Sequence, residues 1–258
     1  MIKKSFGELL GTFILVFIGC SSVAISTLGL ALTSLLEVAL VWGGGVTLAI
    51  YSVRKICPAH LNPAVSLAEF MEKKITPPTL LSFIIFQLVG AFLAGTLIYF
   101  LFNSHIMEYE QTNQIIRGEP ESRVSARMFG EFFDNGNWFG KFGDLTSAIF
   151  AEAIGTFILV FVILIIGNTK RKISVLAPIL IGITITLLIL CLAPITQGGF
   201  NPARDFGPRL VAYFGGWDKA AFPVIEYSFF LVYILAPFIG GVLATMCYWL
   251  YKKISNTK

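Results

Sequence analysis

Charge is what this sequence has least of. Only 13% of its 258 residues are Asp, Glu, Lys or Arg, against about 25% in a soluble domain. With 56% hydrophobic residues and a mean hydropathy of +0.79, the chain reads as a membrane protein. Histidine is also scarce: His60 and His105 are the only two. The four cysteines, Cys20, Cys57, Cys191 and Cys247, lie in or beside apolar runs, at no spacing that suits a disulfide framework or a metal site. They read as small buried apolar residues. A metal cluster, a nucleophile–base pair and a phosphate loop are all missing, which leaves a membrane enzyme without machinery. The net charge of +4 does not suggest a nucleic-acid partner.

What is present in quantity is apolar sequence of membrane-spanning length. A bilayer core needs ~20 apolar residues per helix. Six segments qualify, roughly 6–27, 35–54, 78–102, 146–168, 174–194 and 226–251. Two more, roughly 62–72 and 201–213, cover half that depth. The run from Lys3 and Lys4 to Ile18-Gly19-Cys20 resembles a signal peptide with a lipid-attachment cysteine, but it recurs in mid-chain and therefore reads as the first span. If the six spans alternate, twelve of the nineteen Lys and Arg fall on one side, in the termini and short loops: Lys3, Lys4, Arg54, Lys55, Lys73, Lys74, Lys170, Arg171, Lys172, Lys252, Lys253 and Lys258. By the positive-inside rule both termini are expected in the cytoplasm. Segment 103–145, with Gly118-Glu119-Pro120 and Asp134-Asn135-Gly136-Asn137, reads as a long extracellular loop with a short amphipathic piece around Val124 to Phe133.

The chain repeats itself. Glu8 to Phe17 (ELLGTFILVF) returns as Glu152 to Phe161 (EAIGTFILVF) at an offset of 144, and Asn-Pro-Ala occurs at Asn62 and at Asn201, an offset of 139. Gly90-Ala91-Phe92-Leu93-Ala94 is echoed by Gly240-Gly241-Val242-Leu243-Ala244 at an offset of 150. Three matches in one order imply duplication. Each half holds three spans, an odd number, so the second half enters the bilayer from the opposite face. The expectation is one channel domain over 1–258 with repeats of approximately 5–102 and 146–251. Its fold class is all-α integral membrane: six transmembrane helices, two re-entrant half helices and an inverted internal repeat. Gly90 with Ala94, and Gly240 with Ala244, supply small-xxx-small contacts between helices.

Each Asn-Pro-Ala copy reads as a helix start, because Asn is a strong N-cap and Pro at the next position has φ preset. Two half helices entering from opposite faces bring Asn62 and Asn201 together near the midplane. Their N-termini carry free N–H groups and about half a positive charge each, which repels cations and protons. Each Asn is expected to cap with its oxygen and keep its NH₂ as a donor to a passing oxygen atom. The residues before each Asn are expected to be extended. Their carbonyls, at Pro58, Ala59, His60 and Leu61 and at Gly198, Gly199 and Phe200, then form an acceptor ladder opposite an apolar wall. Pro63 and Pro202 fix the helix starts.

Arg204 reads as a cation barrier and hydroxyl donor facing a watery cavity; the alternative is an arginine snorkelling to the headgroups. Glu8 and Glu152 read either as a proton relay or as buried acceptors for backbone donors of the re-entrant loops; their symmetric placement favours the second. Glu37 is expected at a vestibule, and His60 to support its loop.

These motifs resemble those of the major intrinsic proteins, the aquaporins and aquaglyceroporins: the two Glu-x-x-Gly-Thr-Phe starts, Ala59-His60-Leu61-Asn62-Pro63-Ala64-Val65 and Asn201-Pro202-Ala203-Arg204. The resemblance covers nearly the whole chain. It implies a homotetramer with a pore in every subunit, no cofactor, a place in the cell membrane, and ion exclusion by half-helix dipoles, a principle established for aquaporin-type pores. Asp205 after Arg204 looks like the glycerol facilitators. By spacing, the outer constriction falls to Trp42, Ile189, Gly198 and Arg204. Trp42 again fits glycerol channels, whereas Gly198 stands where they carry a second aromatic and Ile189 where they carry Gly. The four together look more like nodulin-26-like channels. Tyr233-Ile234 mixes water-channel and glycerol-channel residues. The function implied is passive passage of glycerol, with water and urea; the alternative is passage of neutral metalloid acids. A coupled secondary transporter, which shares inverted repeats and broken helices, would need carboxylates free for coupling, and only Glu8, Glu37 and Glu152 are at hand.

Overall fold

A computed structural model describes residues 1–133, 145–167, 171–223 and 227–255, with the side chains of 171–174 undescribed. Lys170 and Lys258 of the charge pattern, and Asp134-Asn135-Gly136-Asn137, lie outside the described residues. So do residue 168 of the fourth expected span and residue 226 of the sixth.

Among the described residues six helices are long and apolar enough to cross a membrane: α1 (Ile2–Thr27), α2 (Leu35–Val53), α4 (Pro77–Thr112), α6 (Leu145–Gly167), α7 (Arg171–Thr196) and α9 (Ala236–Ser255), the last extended backwards by a π turn at Phe230–Leu235. The half helices are α3 (Pro63–Met71) and α8 (Pro202–Ala212). A 3₁₀ turn (Pro120–Ser122) runs into the short α5 (Arg123–Ala126). Among the described residues no strand occurs.

Packing repeats between the halves. α1 lies against α2 and α4, and α6 against α7 and α9; α3 of the first half packs on α9 of the second, and α8 on α4. Small residues set the distances. A Cβ on Gly90 would come within 2.3 Å of the Leu9 carbonyl oxygen, and one on Gly240 within 2.2 Å of that of Ala153. These are equivalent α1–α4 and α6–α9 contacts, and neither admits a side chain. The large apolar residues face outward instead: Leu81, Ile85, Val89, Leu93 and Leu97 recur every fourth residue along α4, all exposed. A lipid-facing stripe with a small-residue seam inverts the pattern of a soluble helix.

Two expectations change. α4 runs to Thr112, well past the apolar limit at 102. Residues 103–112 turn Ile106 and Glu110 inward, so the helix continues on protein contacts after the hydrocarbon ends. The amphipathic piece is helical only through Ala126, and residues 127–133 are irregular yet mostly buried; the amides of Arg127, Met128 and Phe129 turn back to carbonyls of residues 123–126, and those of Glu131 and Phe132 find side-chain acceptors, as described below. Glu37, exposed at the start of α2, also completes its cap. Its carboxylate accepts from the Ser34 backbone N–H at 2.9 Å, while the Ser34 hydroxyl accepts from the Glu37 N–H, a capping box.

Candidate functional site

Asn62 and Asn201 cap α3 and α8 as their sequence dictates. The Asn62 side-chain oxygen accepts from the Ala64 N–H at 2.8 Å; that of Asn201 accepts from Ala203 at 3.1 Å and Arg204 at 3.3 Å. Their amide nitrogens do something the sequence did not disclose. Asn62 Nδ2 donates to the Phe200 carbonyl and Asn201 Nδ2 to the Leu61 carbonyl, each at 2.8 Å. One N–H of each amide is therefore spent on the opposite half, and one remains. The same bonds remove Leu61 and Phe200 from the expected ladder of free carbonyls.

The segments before each Asn are not uniformly extended. Ala59 (φ 57°), Leu61 (φ 53°), Gln197 (φ 64°), Gly198 (φ 86°) and Phe200 (φ 50°) are left-handed. Left-handed residues reorient successive peptide planes, which an extended strand with alternating carbonyls cannot do. The conformation is disfavoured for a side-chain-bearing residue, so something must hold it. The holders are Glu8 and Glu152. Glu8 accepts from His60 N (2.9 Å) and Leu61 N (2.7 Å), and from Gln87 Nε2 (2.9 Å). Glu152 accepts from Gly199 N (2.9 Å) and Phe200 N (2.6 Å). Both carboxylates are fully buried, and charge-assisted bonds of this kind are the strong ones. The His60 ring bonds Ser66 Oγ at 3.1 Å and meets the edge of Phe83. Among the described residues no His, Cys, Asp and Glu gather as a metal site.

A cavity of about 850 Å³ follows these segments. It begins among Lys4, Arg54 and Lys74 on the face that carries the N-terminus. It passes His60, Asn62 and Asn201 and reaches Trp42, Ile189, Gly198 and Arg204. Residues 58–61 and 198–200 lie along it, as do Val46, Ile50, Ile181 and Ile185. The four residues picked by spacing thus border one space. The Arg204 guanidinium sits 4.5 Å from the centroid of the Trp42 ring and is 3% exposed, so it does not snorkel. Trp42 in turn lies against Gly19, where a Cβ would overlap its ring.

Sequence reasoning missed what holds Arg204. Its Nη2 pairs with the carboxylate of Glu131, from the irregular segment 127–133. That segment is clamped. Glu131 N donates to Asp205 Oδ2 (2.7 Å) and Phe132 N to Gln197 Oε1 (2.6 Å). Asp205 also takes Arg209 Nε at 2.8 Å in a pair with no exposed surface. Gly130 clears the way for Arg209, since a Cβ there would stand 2.6 Å from the guanidinium carbon. Burial pushes the Glu131 carboxyl up to about 7, against the opposing pull of Arg204. The only signal in the sequence is one acid between aromatics, Phe129-Gly130-Glu131-Phe132-Phe133, in a loop otherwise polar.

Six spans, two opposed half helices and a central cavity define a membrane channel with an inverted repeat. The major intrinsic protein profile matches residues 1–248, and the chain belongs to that family; it is a multi-pass membrane channel and not an enzyme. It is 36% identical over 247 residues to the glycerol uptake facilitator protein of Pseudomonas aeruginosa, covering 94% of this chain and 86% of that one. It is 37% identical over 256 residues to the glycerol uptake facilitator protein of Haemophilus influenzae, covering 96% and 91%. The X-ray structure of the aquaglyceroporin from Plasmodium falciparum has the same fold, with a TM-score of 0.79 at 24% identity over 96% of this chain and 95% of that one.

Proposed function

We propose that this channel equilibrates glycerol, together with water and urea, across the cell membrane and excludes ions and protons. The observation that carries the reading is the mixed lining of the path to Arg204: residues 58–61 and 198–200, whose carbonyls other than those of Leu61 and Phe200 take no part in the crossed bonds, together with aliphatic Val46, Ile50, Ile181 and Ile185. A polyol has hydroxyls along one edge and carbons along the other, and fits such a path. Names of relatives point to the same solute. Ion exclusion follows from the opposed N-termini of α3 and α8, whose dipoles meet at Asn62 and Asn201, and from the guanidinium of Arg204. The channel works as a homotetramer with both termini in the cytoplasm, the side favoured by its basic short loops.

A coupled transporter is disfavoured by the hydrogen bonds of Glu8 and Glu152, whose oxygens are already taken by backbone donors. Gly198 favours urea and a second solute class: without an aromatic there, pyramidal metalloid acids also gain room. The test is stopped-flow light scattering of proteoliposomes under glycerol, urea and water gradients. Glycerol flux far above that of empty vesicles, unchanged by an imposed ion or pH gradient, is the expected result. Flux that follows either gradient overturns the reading.

A further inference from the structure

We propose that the cavity mouth on the face of the N-terminus is a binding site for a small phosphate-bearing anion, the phosphomonoester of a polyol, and that the bound anion plugs the channel from that side. This deepens the channel reading above and rests on it.

Cations converge on this mouth without acids to match them. Lys4, Arg54, Lys55 and Lys74 all line the cavity. They come from separate places: Lys4 from the first turn of α1, Arg54 and Lys55 from the end of α2, Lys74 from the turn after α3. Packing gathers these ends. Ser5 Oγ lies 2.8 Å from Ser82 Oγ of α4, and a Cβ on Gly7 would stand 2.8 Å from Cys57 Sγ and 3.0 Å from Ile56. The start of α1 is therefore held both to the start of α4 and to the chain just beyond Lys55. The Arg54 guanidinium sits 4.5 Å from the centroid of the Tyr51 ring, whose hydroxyl donates to the Val175 carbonyl at 2.8 Å. Among the described residues Glu69 is the only acid of the lining, and it is spent on Lys74 at 2.9 Å. Lys4, Arg54 and Lys55 pair with no carboxylate among the described residues.

Membrane topology alone asks only that basic residues lie on the right side. Lys3 and Lys73 meet that demand without lining the cavity, whereas these four line it. Farther in, the positive ends of α3 and α8 face the same space at Asn62 and Asn201, so the field draws an anion inward from the mouth. It does not conduct one. The aliphatic wall of Val46, Ile50, Ile181 and Ile185 replaces none of the water an anion would shed, and burying an unpaired charge is prohibitive. An anion is thus attracted and stopped. A phosphomonoester carries about −1.5 to −2 charges at pH 7, which suits the unpaired cations, and its polyol end meets the lining that suits the free polyol. Such an ester is the product of phosphoryl transfer to the solute, so the plug slows entry once that product has accumulated.

The test uses the full-length channel in vesicles of neutral phosphatidylcholine. Glycerol phosphate, inorganic phosphate or chloride is placed on both sides at matched ionic strength, so that general screening is equal, and glycerol flux is followed by stopped-flow light scattering. Binding is read separately from the phosphorus NMR line width of each anion with solubilised channel. In wild type, glycerol phosphate should broaden its own line and slow glycerol flux saturably, at lower concentration than inorganic phosphate does. Each exposed charge pair corresponds to a roughly 1.5- to fivefold change in affinity, so Lys4→Gln combined with Arg54→Gln should raise the half-effect concentration roughly two- to twentyfold. Lys3→Gln combined with Lys73→Gln removes the same charge from the same face and should leave it at the wild-type value. No broadening and no slowing, or an equal change in both pairs of variants, overturns the site. Equal potency of inorganic phosphate overturns the polyol ester as its ligand. Slowing by anionic phosphatidylglycerol in the vesicles, without any added phosphate, assigns the mouth to a lipid headgroup and overturns the soluble ligand. Line broadening in wild-type channel that passes no glycerol keeps the anion site and overturns the channel reading on which the plug rests.

Discussion

Replacing Glu152 by Gln keeps shape and volume and changes only hydrogen-bond character. The carboxylate now accepts from Gly199 N and Phe200 N. An amide can accept from one of them, and its NH₂ must then face the other donor. Hydrogen bonds to a charged group contribute about 1.5–3 kcal/mol, and an orphaned buried donor costs about 1–3 kcal/mol. Losing one bond, weakening the second and orphaning a donor together cost about 3–6 kcal/mol. The left-handed Gly198 and Phe200 depend on this anchor, so the damage is to assembly. Glu8→Gln carries the same backbone conflict at His60 N or Leu61 N. There, however, Gln87 can turn and present its unpartnered Oε1, recovering one neutral bond of about 1 kcal/mol. The assay is the monodisperse fraction of detergent-solubilised protein by gel filtration across a temperature series. Both variants should lose monodispersity at lower temperature than wild type, Glu152→Gln at the lowest. Surviving Glu152→Gln protein should keep its ratio of glycerol to urea flux. Wild-type thermal behaviour would refute the anchoring role, and a new dependence of flux on a pH gradient would favour coupled transport.

Other outcomes follow from the constriction. Arg204→Ala removes the guanidinium from the face of Trp42 and leaves Glu131 without its partner. Larger polyols should enter several-fold faster and cation exclusion should weaken, and a folded variant with the wild-type solute and ion profile would take Arg204 out of the filter. Glu131 titrates in the folded channel near 7, above the ordinary 4.5 of its unfolded state. The folded state thus binds more protons between those values, so this group makes the channel more stable as pH falls through that window and less stable as pH rises through 7. The same protonation uncharges the partner of Arg204. Glycerol flux should change with a midpoint near pH 7 in wild type and be flat there in Glu131→Gln, as a pH series of stopped-flow traces would show. Gly198→Phe should lower urea and metalloid flux more than glycerol flux. A Cβ at Gly198 would point between Phe200 (3.2 Å) and Ile189 (3.5 Å), but φ 86° makes any side chain strained, so the yield should fall too. An unchanged profile at full yield would mean that residue 198 does not face the path.

What could be read from the sequence was whatever local chemistry writes down. α3 and α8 begin where expected because Asn-Pro carries both the cap and the preset φ. The spans lie where the apolar runs are, but the end of α4 does not, since hydropathy marks where hydrocarbon stops and not where a helix does. Left-handed Ala59, Leu61 and Phe200 were invisible because nothing in those side chains calls for positive φ; two distant carboxylates impose it. The partner of Arg204 was invisible for a related reason. Glu131 reaches it from a segment without periodicity, held by Asp205 and Gln197, and no spacing rule joins such residues.

The two crossed bonds at the centre also order events in time. Asn62 leaves the ribosome 138 residues before the Phe200 carbonyl that receives its amide, and Leu61 waits similarly for Asn201, 140 residues on. Until the second half has entered the bilayer, the first re-entrant loop holds a donor and an acceptor whose partners do not yet exist, at a depth where lipid supplies none. A chain halted before residue 200 could complete α1, α2 and α4 as spans, yet its first loop would have no reason to stay at the midplane. The centre of the pore is therefore a late product of biosynthesis. A truncated first half should leave Asn62 accessible from the aqueous side, where the whole protein keeps it buried.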